Sequence, residues 1–158
     1  SGTSITGGCD ILGNCTPLAA PEVVLTPFGP FGGGGGEVRA AWLGGAVIVN
    51  GQIVAESNRP TILLETGMPV RYYLPVTDVR VGLLEESDKV TRCPYKGASN
   101  YYSVKGAEDG QDLAWYYRYP TNEAYKIANL ICFFNERVDA LYVDGELEAK
   151  PTTRWSKK

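Results

Sequence analysis

Cys93-Pro94-Tyr95-Lys96-Gly97 brings a thiol, a phenol and an ammonium together beside a proline that favours a turn. A thiol becomes a nucleophile when its pKa falls, and the neighbouring cations Arg92 and Lys96 are placed to lower that of Cys93. Two observations weigh against this role. On a regular strand Arg92 faces away from Cys93, and cysteine is often a small apolar filler. Lys96, following Pro94, is suited to anchoring a carboxylate or a developing enolate oxygen. Burial would open Schiff-base chemistry to it; an ordinary solvated lysine is the plain alternative.

Other residues fit around this turn. Asp78 has the chemistry of a general base, or of a partner for Lys96 or Arg71. It has equally the chemistry of a turn cap, because it follows Pro75-Val76-Thr77. Arg71 can grip a carboxylate bidentately. Tyr73, Tyr95, Tyr101, Trp115 and Tyr117 offer flat apolar walls with polar tips, and Tyr101 could donate a proton. Each of these rings is equally suited to the core. The acidic groups Glu85-Glu86-Ser87-Asp88 and Glu108-Asp109 read as solvated turns, since consecutive carboxylates rarely converge on one cation.

Composition removes several classes of function. The chain has no histidine, so Ser-His-Asp and Cys-His catalysis and histidine metal sites are excluded. The four cysteines, Cys9, Cys15, Cys93 and Cys132, show no Cys-x-x-Cys spacing, which argues against structural zinc. A net charge of −3 argues against a nucleic-acid partner. No apolar run is long enough for a membrane helix, and no secretory leader is legible at the start. A cytoplasmic location is favoured, with export the alternative if Cys9 and Cys15 form a disulfide.

The 158 residues divide into a Gly/Pro-rich arm over 1–36, one β domain over 37–150 and a polar tail over 151–158. The five glycines from Gly32 to Gly36 read as a flexible link, and no Gly-Lys-Ser/Thr follows to make a phosphate loop. Val23 to Leu25 suits a short strand pairing with the domain. Further strands are expected at Val38–Leu43, Ala46–Val49, Gln52–Glu56, Thr61–Glu65, Val70–Leu74, Val79–Leu84, Lys89–Cys93, Asn100–Lys105, Leu113–Tyr117 and Val138–Val143. Asn50-Gly51 is a hairpin signal, and Asp144-Gly145 marks a turn. One helix is expected after Pro120-Thr121, with Ala124, Ile127, Ala128 and Ile131 as its buried stripe. The tail is expected to fray, with Trp155 either docked or contacting a partner. Tyr72-Tyr73, Tyr101-Tyr102 and Tyr116-Tyr117 each turn one member inward, because strand neighbours face opposite sides.

Taken in order, Arg71-Tyr72-Tyr73-Leu74-Pro75, Asp78-Val79, Cys93-Pro94-Tyr95-Lys96-Gly97 with Tyr101, and Ala114-Trp115-Tyr116-Tyr117 resemble the domain-of-unknown-function family numbered 427, which also carries a nucleotidyltransferase-like label. The resemblance covers roughly residues 37–146. It implies a mainly β fold of two curved antiparallel sheets with one short helix, similar to the β-tent of methionine sulfoxide reductase B and of glutathione-dependent formaldehyde-activating enzymes. Those relatives often hold zinc through paired Cys-x-x-Cys motifs that this chain lacks. A phosphate loop and a clear pair of metal-binding carboxylates are also missing, so the nucleotidyltransferase label gains no support from these residues.

These readings lead to an expected function. It is a cofactor-independent enzyme moving a proton on a small organic molecule, as an isomerase, cyclase or lyase, with Lys96, Asp78, Tyr101 and Cys93 as the chemical residues. No metal or other cofactor is expected, and a homodimer is compatible with the arm. The alternatives are a non-catalytic small-ligand-binding module and a thiol-dependent enzyme centred on Cys93.

Overall fold

A computed structural model describes residues 45–63, 65 and 68–156, together with three short N-terminal strands for which backbone pairing alone is described. These three are β1 (Gly8–Cys9), β2 (Cys15–Thr16) and β3 (Val24–Leu25). The strands β1 and β2 pair with Cys9 opposite Cys15. The side chains of Cys9 and Cys15, whose disulfide is the alternative for an exported protein, the glycine run and the expected strand Val38–Leu43 lie outside the described residues.

The fold is mainly β, built on two antiparallel sheets. One has seven strands in the order β3, β6 (Thr61–Leu63), β7 (Arg71–Leu74), β11 (Ile131–Phe133), β10 (Ala114–Tyr116), β9 (Gly97–Val104) and β8 (Leu84–Cys93). The other has four, in the order β13 (Glu146–Leu147), β12 (Ala140–Val143), β4 (Gly45–Val49) and β5 (Gln52–Ser57). The core gathers Val47, Val49, Val54 and Val138 with Leu63, Leu74, Ile131 and Phe133. The expected pairing of Val24 and Leu25 with the domain is present, since β3 pairs with β6. The hairpin signal and the Asp144-Gly145 turn both act through positive φ. Asn50 and Gly51 stand at +51° and +71°, and Asp144 and Gly145 at +58° and +80°. These values suit the type I′ turns that match strand twist.

Three local expectations are corrected. The helix is a short 3-10 element, Asn122–Ile127, kinked at Ala124. It buries Ala124 and Ile127, but Asn129 takes a left-handed φ of +59° and ends the run. Ile131 is then buried by a strand, opposite Leu74. An apolar spacing of three or four over so short a stretch does not distinguish the two solutions. The acidic residues Glu85, Glu86 and Asp88 lie within the ten-residue strand β8 rather than in a turn. That strand is the sheet's edge, where charged side chains reach water and discourage further pairing. Residues 81–83, within the expected strand Val79–Leu84, form a 3-10 turn, and residues 76–78 form another.

Candidate functional site

Strand register assembles the site. Reading across the large sheet, Ser87 pairs with Tyr101, Tyr101 with Trp115, Trp115 with Cys132, Cys132 with Tyr73, and Tyr73 with Thr61. Residues in one such row share a face. Tyr117, two residues beyond Trp115, joins that face, whereas Tyr102 and Tyr116 stack on the opposite one with ring centroids 5.0 Å apart. Each tyrosine pair is thereby divided between the two faces of the sheet.

On the Tyr101 face lies a cleft of about 220 Å³. Its lining includes Lys96, Cys93, Tyr101, Arg71, Trp115 and Tyr117 from among the expected site residues. Glu65, Lys89, Thr91, Ser99, Arg154 and Trp155 complete it, with Met68, Arg92 and Phe134. Arg92, expected to face away from Cys93, lines the same cleft.

The signature turn is held from outside. Thr121 donates its backbone N–H to the Lys96 carbonyl at 3.0 Å and its hydroxyl to the Tyr95 carbonyl at 2.5 Å. This is why Thr121 makes no side-chain cap on its own 3-10 element. Gly97 has a φ of +107°, and a Cβ there would lie 3.3 Å from the Tyr119 carbonyl oxygen. Glycine meets both requirements.

Two buried ion pairs form the floor. The Lys96 ammonium donates to Glu65 Oε2 at 2.6 Å, with side chains 10% and 3% exposed. A buried lysine needs such a partner, because an isolated charge in an apolar interior is costly. Arg71 donates to both oxygens of Glu136, at 2.6 and 3.0 Å, and both side chains are fully enclosed. Thr153 adds a hydroxyl bond to Glu136 at 2.9 Å. Burial works against the charge on both partners. The Glu136 bonds outweigh it at Arg71 and hold the guanidinium pKa above its ordinary value. The Arg71 bonds likewise hold the Glu136 carboxyl below the usual range.

The rings are ordered around these pairs. The Trp115 indole N–H donates to the Tyr73 hydroxyl at 3.1 Å, and the two rings meet edge to face. The Arg71 guanidinium lies 5.1 Å from the Trp115 ring centroid, and the Lys96 ammonium 5.9 Å from that of Tyr117. Burial pushes the phenols of Tyr73 and Tyr117 well above their ordinary pKa, so both stay neutral. Tyr101 shares a 2.8 Å hydroxyl contact with Thr91, which in turn meets Ser99 at 2.6 Å.

Several expected residues take other places. Asp78 does not reach Lys96 or Arg71. It accepts from Ser57 at 2.6 Å and from Arg59 at 3.2 Å, in a separate open cleft beside β5. There burial opposes ionisation, but Arg59 and Ser57 hold the carboxyl below its ordinary pKa. A 3-10 turn, Val76–Asp78, places it beside the end of β5, 19 to 21 positions away from its partners in sequence. Tyr73 backs Trp115 instead of walling the cleft, and Tyr95 contributes its carbonyl to the Thr121 clamp. The tail, expected to fray, packs Trp155 against Phe134 with centroids 6.0 Å apart.

Glu65 and Glu136 had not been singled out from the sequence. A lone glutamate after a strand carries no local mark of a buried partner. A weak signal existed in reverse: Lys96 and Arg71, once placed on a core-facing surface, each demand a carboxylate. Among the described residues no cluster of three Cys, Asp or Glu is arranged to hold a metal ion.

No curated protein matches the chain. A family described as a domain of unknown function, DUF427, matches residues 45–144. That span runs from β4 to β12 and includes every cleft residue except Arg154 and Trp155. Over most of its length, therefore, and through the segment that builds the cleft, the chain belongs to the DUF427 family.

Proposed function

We propose that this protein is a cofactor-independent enzyme that moves a proton on a small carbonyl compound in the aromatic-walled cleft. The observation that carries the reading is the Lys96–Glu65 pair, buried yet opening onto the cleft. Glu65 supplies the base that the sequence reading had sought in Asp78.

The step balances without an added reagent. The Glu65 carboxylate takes a proton from carbon beside the substrate carbonyl; the C–H bond breaks, an O–H bond forms and the electron pair becomes an enolate. An ammonium has three donors, and Glu65 engages Lys96 through Oε2. Another Lys96 donor is then available to the enolate oxygen as its charge develops. Returning the proton to a different carbon completes an isomerisation; expelling a group from the neighbouring carbon gives a lyase outcome. Trp115 and Tyr117 present flat surfaces that hold the substrate in place.

The test is deuterium uptake from heavy water into a panel of small keto acids and ketones, followed by proton NMR. Wild type is expected to exchange at least one member of the panel. Glu65→Gln should lower that rate by about 100-fold or more, the scale of a lost general base. Exchange that survives Glu65→Gln, or no exchange on any compound, overturns the proposal. Cys93→Ser is expected to retain exchange; its loss in a folded variant would move the chemistry to the thiol.

A further inference from the structure

The cleft also constrains what its substrate must carry. Arg71, Lys89, Arg92, Lys96 and Arg154 line it, and among the described residues Glu65 is the one lining carboxylate. Glu136 lies behind, against Arg71. Whatever else each cation touches, five positive side chains against these two carboxylates make the cleft electropositive, in a chain whose overall charge is −3. Lys96 and Arg71 are buried, whereas Lys89, Arg92 and Arg154 are exposed and so stand at the mouth.

That mouth is ordered. The Lys89 ammonium lies 4.6 Å from the Tyr101 ring centroid, and the Arg154 guanidinium 4.6 Å from that of Trp155. Stacking on a ring aims a flexible cation. The segment bearing Arg154 is itself pinned: Thr153 donates to Glu136, and the Trp155 N–H donates to the Thr153 hydroxyl at 3.1 Å. This wall lies beyond the part of the chain that matches the family, so it can set specificity without altering the shared floor. A cleft of 220 Å³ corresponds to about seven waters at roughly 30 Å³ each, room for one ring and one acidic group.

We infer that the cleft takes a small aromatic or planar acid, whose ring lies against Trp115, Tyr117 and Trp155 and whose carboxylate or phosphate meets Lys89, Arg92 and Arg154 at the mouth. It rests on the proton-transfer reading only in placing the reactive end of that acid at Lys96 and Glu65.

The test is an NMR titration of the full chain with benzoate, phenyl phosphate and the neutral isostere benzamide. At least one acid should bind about tenfold tighter than benzamide, the scale of one hydrogen bond to a charged group. Raising salt from about 50 to about 300 mM should weaken the acids and spare benzamide. Arg154→Gln and Lys89→Gln, both at exposed positions, should each weaken the acids several-fold and leave benzamide unchanged. Preference for phenyl phosphate assigns a phosphate substrate, and preference for benzoate a carboxylate. Equal binding of benzamide, failure of both acids to bind at millimolar concentration, or indifference to both substitutions overturns the inference. Acid binding without deuterium exchange would leave the anion subsite standing and remove the proton-transfer reading. Exchange on neutral ketones without preference for acids would do the reverse.

Discussion

Replacing Glu136 by glutamine should be among the most damaging single-atom changes available in this protein. The substitution keeps the side-chain shape and removes one negative charge. Arg71 is left with side-chain exposure of 2% and no carboxylate, and one of its two bonds, at 2.6 or 3.0 Å, faces an amide N–H. Breaking a buried pair by neutralising one member costs about 3–5 kcal/mol. A chain of this size loses about 2–4 °C of Tm per kcal/mol, so the midpoint should fall by about 6–20 °C. Urea and thermal melts followed by tryptophan emission measure this directly, because Trp115 and Trp155 both flank the Arg71 guanidinium. The double change Arg71→Met with Glu136→Leu removes both charges and should recover most of the loss. The pH dependence has a definite sign. The folded carboxyl lies below its ordinary value of 4.5, so the unfolded chain binds more protons just below that pH. The contribution of Glu136 is fully present above about pH 4.5 and is lost as pH falls through the folded pKa. Glu136→Gln should flatten that part of the acid limb. A cost under about 1 kcal/mol, typical of exposed pairs, together with an unchanged acid limb, would refute the reasoning.

Two further substitutions probe how the cleft is framed. Gly97→Ala sets a Cβ 3.3 Å from the Tyr119 carbonyl oxygen at a φ of +107°, and should cost about 1–3 kcal/mol in a urea melt; an unchanged midpoint would show that this backbone is not under constraint. Asp78→Asn acts away from the cleft, at the Ser57 and Arg59 contacts, and should leave deuterium exchange within about twofold of wild type, since mutations at distant sites act independently. A large loss of exchange in a variant of native fold would return Asp78 to the chemistry.

The cleft is partly legible in the sequence. Lys96, Cys93, Tyr101, Arg71, Trp115 and Tyr117 stand out by residue type and by the motifs of the resemblance, and all of them line it. Asp78 stands out by residue type and by the Asp78-Val79 motif of the resemblance, yet its contacts are to Ser57, Arg59 and Thr77, outside the cleft. The expected helix is present but shorter, and Ile131 leaves it for a related reason. Ala124, Ile127 and Ile131 are all buried, but the spacing records burial and not the backbone that achieves it.

Local chemistry thus settled what is local: alternation along strands and the left-handed turns at Asn50-Gly51 and Asp144-Gly145. A two-residue period states which face a side chain occupies and says nothing of what lies opposite. Partners were decided by strand order and register. These put Glu65 against Lys96 across 31 positions and Glu136 against Arg71 across 65, and the tail brought Trp155 back to Phe134. A buried charge must be matched, but the match can come from anywhere the chain returns to the same depth. Only the folded sheet fixes where those returns fall.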